Sequence, residues 1–145
     1  ELSVDDLLEV YRLRELLEAE AIRAAVPRLD HELLAAIAEA AGEVDQAGRS
    51  GDLVEMTASN RRFHFLLFDA AAMPRLSRTL RVLCDATDVY RAVYFGAPAN
   101  RSRVSHEHAD LLAAARDGDA ERAVAVQAAH RDHSVAAVRA AITGG

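Results

Sequence analysis

Apolar residues recur along this chain at spacings of three and four, the period of an amphipathic helix and not of a strand. In the first segment Leu7, Tyr11, Leu13, Leu17 and Ala21 alternate with charged side chains until Pro27 stops the run. Ser3, with Asp6 three positions on, supplies a capping box and predicts a helix over residues 4–26. Asp30 caps a second helix over 31–47, which ends in the Gly48–Gly51 region. A third spans 52–71, and Pro74 suits the first position of a fourth over 74–94. The stretch Gly96–Asn100, GAPAN, reads as a loop. A fifth helix over 103–116 breaks at Gly118, and Asp119 caps a sixth over 119–142. No segment alternates apolar and polar residues at the period of a strand, and no repeat or interdomain linker interrupts the pattern. The expected fold is therefore all-α, a single-domain antiparallel bundle with short connections.

Composition narrows the function classes. With 145 residues the chain can close one hydrophobic core. Alanine makes up about a fifth of it, while glycine and proline are scarce, which favours helix throughout. The single cysteine, Cys84, excludes an internal disulfide and every cysteine-rich zinc module, and points to a reducing, cytoplasmic setting. No apolar run is long enough for a membrane helix, and the acidic, amphipathic start does not read as a signal peptide. All 17 basic residues are arginine, against 23 acidic ones, for a net charge of -6. That balance argues against this chain holding nucleic acid by itself, because phosphate contacts dominate such affinity.

Polar side chains fall on faces that the period assigns to the core. His108 shares a row with Val104, Leu111 and Ala115; His130 shares one with Ala123, Val126 and Ala137. Asn60 and His64, four apart, align with Leu53, Leu67 and Ala71. His108 lies about ten residues before the Gly118 turn and His130 about twelve after it, so the two imidazoles reach similar heights on facing helices. Three histidines and an amide oxygen pointing inward match the ligand set of a divalent transition metal. Hydrogen-bonded core histidines remain the plainer alternative. His31 and His106 are expected in solvent, and His133, one turn beyond His130 and rotated from it, is at most a supporting neighbour of a ligand residue.

The segments RLRELLE (Arg12–Glu18), NRRFHFLLF (Asn60–Phe68), EHADLLAAARDGD (Glu107–Asp119) and AVQAAH (Ala125–His130) together resemble the C-terminal effector domain, or FCD domain, of GntR-family transcriptional regulators of the FadR subfamily. That domain carries an Arg-x-x-Leu-Glu motif in its first helix and an Asp/Asn-x-x-x-His motif mid-chain. One further histidine precedes a Gly-Asp turn, and another lies one helix later. The resemblance covers about residues 5–142. It implies a bundle of six or seven helices that binds a small carboxylate, an organic or sugar acid, often through a metal. Carried over by position, the metal ligands are Asn60, His64, His108 and His130, with zinc ahead of nickel and manganese as the ion. Arg14 matches the first-helix arginine that pairs with the effector carboxylate, and Tyr90, Tyr94, Arg81 and Arg91 are further candidates for that pocket. Asn60 stands where many members have aspartate. Ala71-Ala72-Met73-Pro74 replaces a usual Ser-Gly-Asn-Pro turn. The family also implies a homodimer, and DNA contact only through an N-terminal winged helix-turn-helix that does not precede residue 1 here.

Three rival readings follow from the same residues. A metalloenzyme lacks support: His106-Glu107-His108 has the wrong spacing for an HExxH site, no paired Glu-x-x-His motif is present, and no inward carboxylate offers a general base. A metal-free sensor would use the histidines to hydrogen-bond the effector directly. A ligand-free dimerisation module would leave the inward histidines as an unexplained cost.

Overall fold

A computed structural model of the protein describes residues 2–144, and it contains seven α-helices and no strand among the described residues. They are α1 Val4–Ala25, α2 His31–Ser50, α3 Leu53–Asp69, α4 Pro74–Asp88, α5 Arg91–Phe95, α6 Pro98–Arg116 and α7 Ala120–Thr143, with a 3-10 turn over Val26–Arg28. Local chemistry sets most of the starts. The Ser3 hydroxyl accepts from the Asp6 amide at 3.1 Å while the Asp6 carboxylate accepts from the Ser3 amide at 3.3 Å. Asp30, Asp52 and Asp119 accept from the amides of Leu33, Glu55 and Arg122. Such caps each stabilise a helix by about 1 kcal/mol. Gly51 and Gly118 close the turns after α2 and α6 in the left-handed region, at φ 75° and 69°.

The first helix packs against α7, α4 and α3; α2 lies along α3 and α6, and α6 folds back on α7. The main core gathers Ile22, Ile37, Phe63, Phe68 and Leu80, and a second, smaller cluster gathers Val44, Met56, Tyr94, Phe95 and Val104. No described helix is long and apolar enough to cross a membrane.

Three sequence expectations need correction. The helix expected over 74–94 is two helices, α4 and the short α5, separated at Val89–Tyr90. Neither glycine nor proline marks that break. Its cause is tertiary: the turn carries Tyr94 and Phe95 into the second cluster, where they are 1% and 0% exposed. The expected GAPAN loop is shorter, because Pro98 opens α6 and Pro98–Asn100 are already helical. In α1 the buried stripe runs Leu7, Tyr11, Arg14, Glu18, Ala21. Leu13, expected inside, is 42% exposed, and two charges take the interior positions instead.

Candidate functional site

Asn60 and His64 sit one turn apart on the buried face of α3, His108 on α6 and His130 on α7, all nearly inaccessible to solvent. The imidazoles converge. His64 lies 5.1 Å from His130 and 5.2 Å from His108 by ring centroid, and each of the three offers a nitrogen within 4.8 Å of the others. Phe63 stacks on His108 at 4.1 Å and walls one side.

The hydrogen bonding inside this cluster is incomplete. Asn60 Oδ1, both nitrogens of His64, both nitrogens of His108 and His130 Nε2 are buried and lack a partner. An unmet buried polar group costs about 1–3 kcal/mol, so several at one point call for a common partner. Burial pushes all three imidazoles below their ordinary range, His64 and His108 well below it. The neighbouring charge of Arg91 lowers them further, and for His130 a bond to Glu107 works in the opposite direction. The site is thus a set of neutral nitrogen donors and one amide oxygen, the donor chemistry that suits a divalent transition metal.

Around it stand charges that the helical period did not place. Glu107, on α6, lies with Oε2 2.5 Å from His130 Nδ1 and Oε1 2.9 Å from His133 Nδ1. Burial alone would raise its carboxyl, but the bonds to His130 and His133 outweigh that and hold it below the usual carboxylate range. The expectation of no inward carboxylate is therefore corrected, and His133, one turn beyond His130, reaches the site only through Glu107. A signal existed: Glu107 precedes His108 directly, and His130-x-x-His133 presents two imidazoles one turn apart.

The arginines also sort differently from expectation. Arg14 is buried, but its partners are internal: Nη1 donates to Thr87 Oγ1 at 3.0 Å and Nη2 to Glu18 Oε1 at 3.2 Å. Glu18 also accepts from Gln127 Nε2 at 3.0 Å and Arg131 Nη1 at 3.1 Å. Two guanidiniums thus share one carboxylate. Burial opposes the Glu18 charge, and the two arginines more than restore it, holding its pKa below the ordinary value. Arg81 is not brought to the histidines. It projects at the surface, paired with Asp69 at 2.6 Å, and lines a groove of about 520 Å³ with Met73 and Ser77. Arg91, by contrast, is an interior cation whose charge acts on the three histidines. It is 7% exposed, reaches Ser134 Oγ at 3.4 Å, and pairs with no carboxylate among the described residues. Tyr94 is buried with its hydroxyl unpartnered, whereas Tyr90 packs at the edge of the Leu7, Tyr11 and Val138 cluster.

The family model of the FCD domain matches residues 9–133. The chain belongs to the FCD-domain family. FCD domains are parts of transcriptional regulators and not enzymes, which removes the metalloenzyme alternative. Solved structures agree with that membership. E. coli McbR/YncC superposes with a TM-score of 0.88 at 26% identity, over 96% of this chain and 70% of that one. A GntR-family transcriptional regulator from Pseudomonas syringae pv. tomato str. DC3000 superposes with a TM-score of 0.77 at 26% identity, over 99% of this chain and 61% of that one. This FCD chain therefore spans about two thirds of the length of the regulators it resembles. No curated protein matches it.

Proposed function

We propose that this FCD domain is the effector-sensing and dimerising module of a GntR-type regulator of the FadR subfamily, and that its effector is a small carboxylate bound at the histidine cluster through a divalent metal. The observation that carries this reading is the convergence of three buried imidazoles from α3, α6 and α7, each offering a nitrogen within 4.8 Å of the others and each with an unpartnered nitrogen. Asn60 Oδ1, one nitrogen each of His64 and His108, and Nε2 of His130 would hold the ion, which supplies a concentrated positive charge that favours an anionic oxygen.

The protein's own groups then select the ligand. Arg91 keeps a planar, permanently charged donor fork in a dry interior, where a carboxylate can pair with it in two parallel hydrogen bonds. The Tyr94 hydroxyl, buried near Arg103, can donate its proton to a second oxygen. Arg14 and Arg131, tied to Glu18, keep the surrounding potential positive while remaining neutralised in part. The effector class that suits these groups is a mono- or dicarboxylate with a further oxygen, such as a hydroxy acid or sugar acid. Ligand binding would bias the packing of α5 and α7 around Arg91 and Ser134 and pass that bias to a DNA-binding domain outside these residues. For the dimer, Leu13 and Leu16 of α1 and Val82 of α4 are exposed apolar side chains, at 42%, 55% and 68%, that a second copy can cover.

Metal content of protein purified without added metal, beside a His108→Ala/His130→Ala double variant, tests the centre of the reading. About one equivalent in the parent and none in the variant is the expected result. Absence of metal from the parent even after incubation with zinc, nickel and manganese overturns it. On the metal-loaded protein, carboxylates that raise the melting temperature should lose that effect in Arg91→Met.

A further inference from the structure

One carboxylate joins the clustered histidines to the surface. Glu107 extends from α6 to α7 and receives His130 Nδ1 on one oxygen at 2.5 Å and His133 Nδ1 on the other at 2.9 Å. Side-chain exposure falls along this row, from 44% at His133 to 11% at Glu107 and 4% at His130. An ionised carboxylate can only accept, so each imidazole donates from Nδ1. A neutral imidazole that donates from Nδ1 carries its lone pair on Nε2. In His130 that Nε2 is the buried, unpartnered atom facing the cluster. His64 and His108 have no such anchor, since both nitrogens of each are unpartnered. Of the three imidazoles, His130 alone has its tautomer and ring orientation fixed before any ligand arrives.

We propose that Glu107, braced by His133, is the positioning residue that holds His130 ready as an Nε2 donor, and that this pair sets how tightly the site binds a metal ion. The inference rests on the metal reading above and adds two residues to it. An imidazole held by a carboxylate is a better-oriented and more basic donor, and loss of such an outer partner typically weakens metal binding by 10–100-fold. His133 contributes by fixing the second carboxylate oxygen, so that Glu107 cannot rotate away from His130. Since His133 is exposed, its removal leaves the core untouched.

Two measurements test it on the intact chain: zinc affinity by competition with a chromophoric chelator, and the His130 tautomer from ¹⁵N–¹H spectra of the zinc-free protein. Glu107→Ala should weaken zinc binding by about 10–100-fold. It should also release His130 from the Nδ1–H form. Glu107→Gln, which keeps acceptor oxygen for one histidine but loses the charge, should fall between Glu107→Ala and the parent and carries the test if Glu107→Ala fails to fold. His133→Ala should give a smaller loss of affinity, and His106→Ala, an exposed histidine on the same helix as Glu107, should give none. Parent-like zinc affinity together with an unchanged His130 tautomer in the Glu107 variants overturns the proposal while leaving the metal reading intact. Failure of the parent itself to bind zinc, nickel or manganese overturns both.

Discussion

Ala72 carries the one left-handed backbone conformation among described residues other than glycine, at φ 56°. It occupies the position at which the related Ser-Gly-Asn-Pro turn has glycine. For a residue with a Cβ that conformation costs roughly 1–2 kcal/mol. Ala72→Gly is therefore expected to stabilise the protein by about 1 kcal/mol, less than the full strain because glycine also frees the unfolded chain. Equal urea midpoints for the two proteins would contradict this. Glu18 is the opposite case, a wholly buried carboxylate whose removal strands two guanidiniums. Glu18→Gln should cost about 3–5 kcal/mol near neutral pH, the usual consequence of leaving buried charge uncompensated. Its pH dependence has a definite sign. Because Glu18 titrates below its ordinary value of 4.5 in the folded protein, its contribution is complete above 4.5 and is lost as pH falls through the lower, folded value. The stability gap between parent and variant should accordingly shrink on acidification below that point, and a gap that widens would refute the assignment.

At the scale of elements, the α6–α7 hairpin registers His108 against His130. Its turn depends on Gly118 at φ 69°, with open space where a Cβ would lie. Gly118→Ala thus meets no clash, and its cost is the backbone term alone, about 1–2 kcal/mol. Thermal unfolding should show that loss without a change in helical content; a neutral substitution would mean the turn relaxes to another conformation. The α4–α5 break behaves differently. Local sequence offers no breaker at Val89–Tyr90, yet the separation decides which arginine is interior, burying Arg91 where its charge acts on the histidines while Arg81 on α4 stays at the surface.

For the whole molecule, the histidine cluster ties α3 to the α6–α7 hairpin, which is distant from it in sequence. An ion held there binds only the folded chain, so it stabilises the fold by mass action. Zinc at about 100 times its dissociation constant should add about 2.7 kcal/mol, a rise in melting temperature of roughly 5–10 °C for a domain of this size. A chelator should reverse the rise, and the His108→Ala/His130→Ala variant should show none. A melting temperature indifferent to zinc in the parent would count against a site at this position.

Period, caps and turns by themselves determined the helical fold. Ser3, Asp30, Pro74 and Asp119 announce helix starts through contacts within four residues, and such local chemistry survives without knowledge of the rest of the chain. The facing of His108 and His130 was also legible, since the Gly118 hairpin equates their heights and the period gives their faces, while His64 was placed with them by the family resemblance. Tertiary structure decided what the charges do. Arg14 and Glu18 lie inside because Arg131 and Gln127 of α7 complete their bonding, and Arg91 lies inside because α5 turns inward. Glu107 belongs to the site because α7 brings two imidazoles across to it. A charged residue reads as exposed in any local pattern, and only partners distant in sequence can offset the cost of its burial.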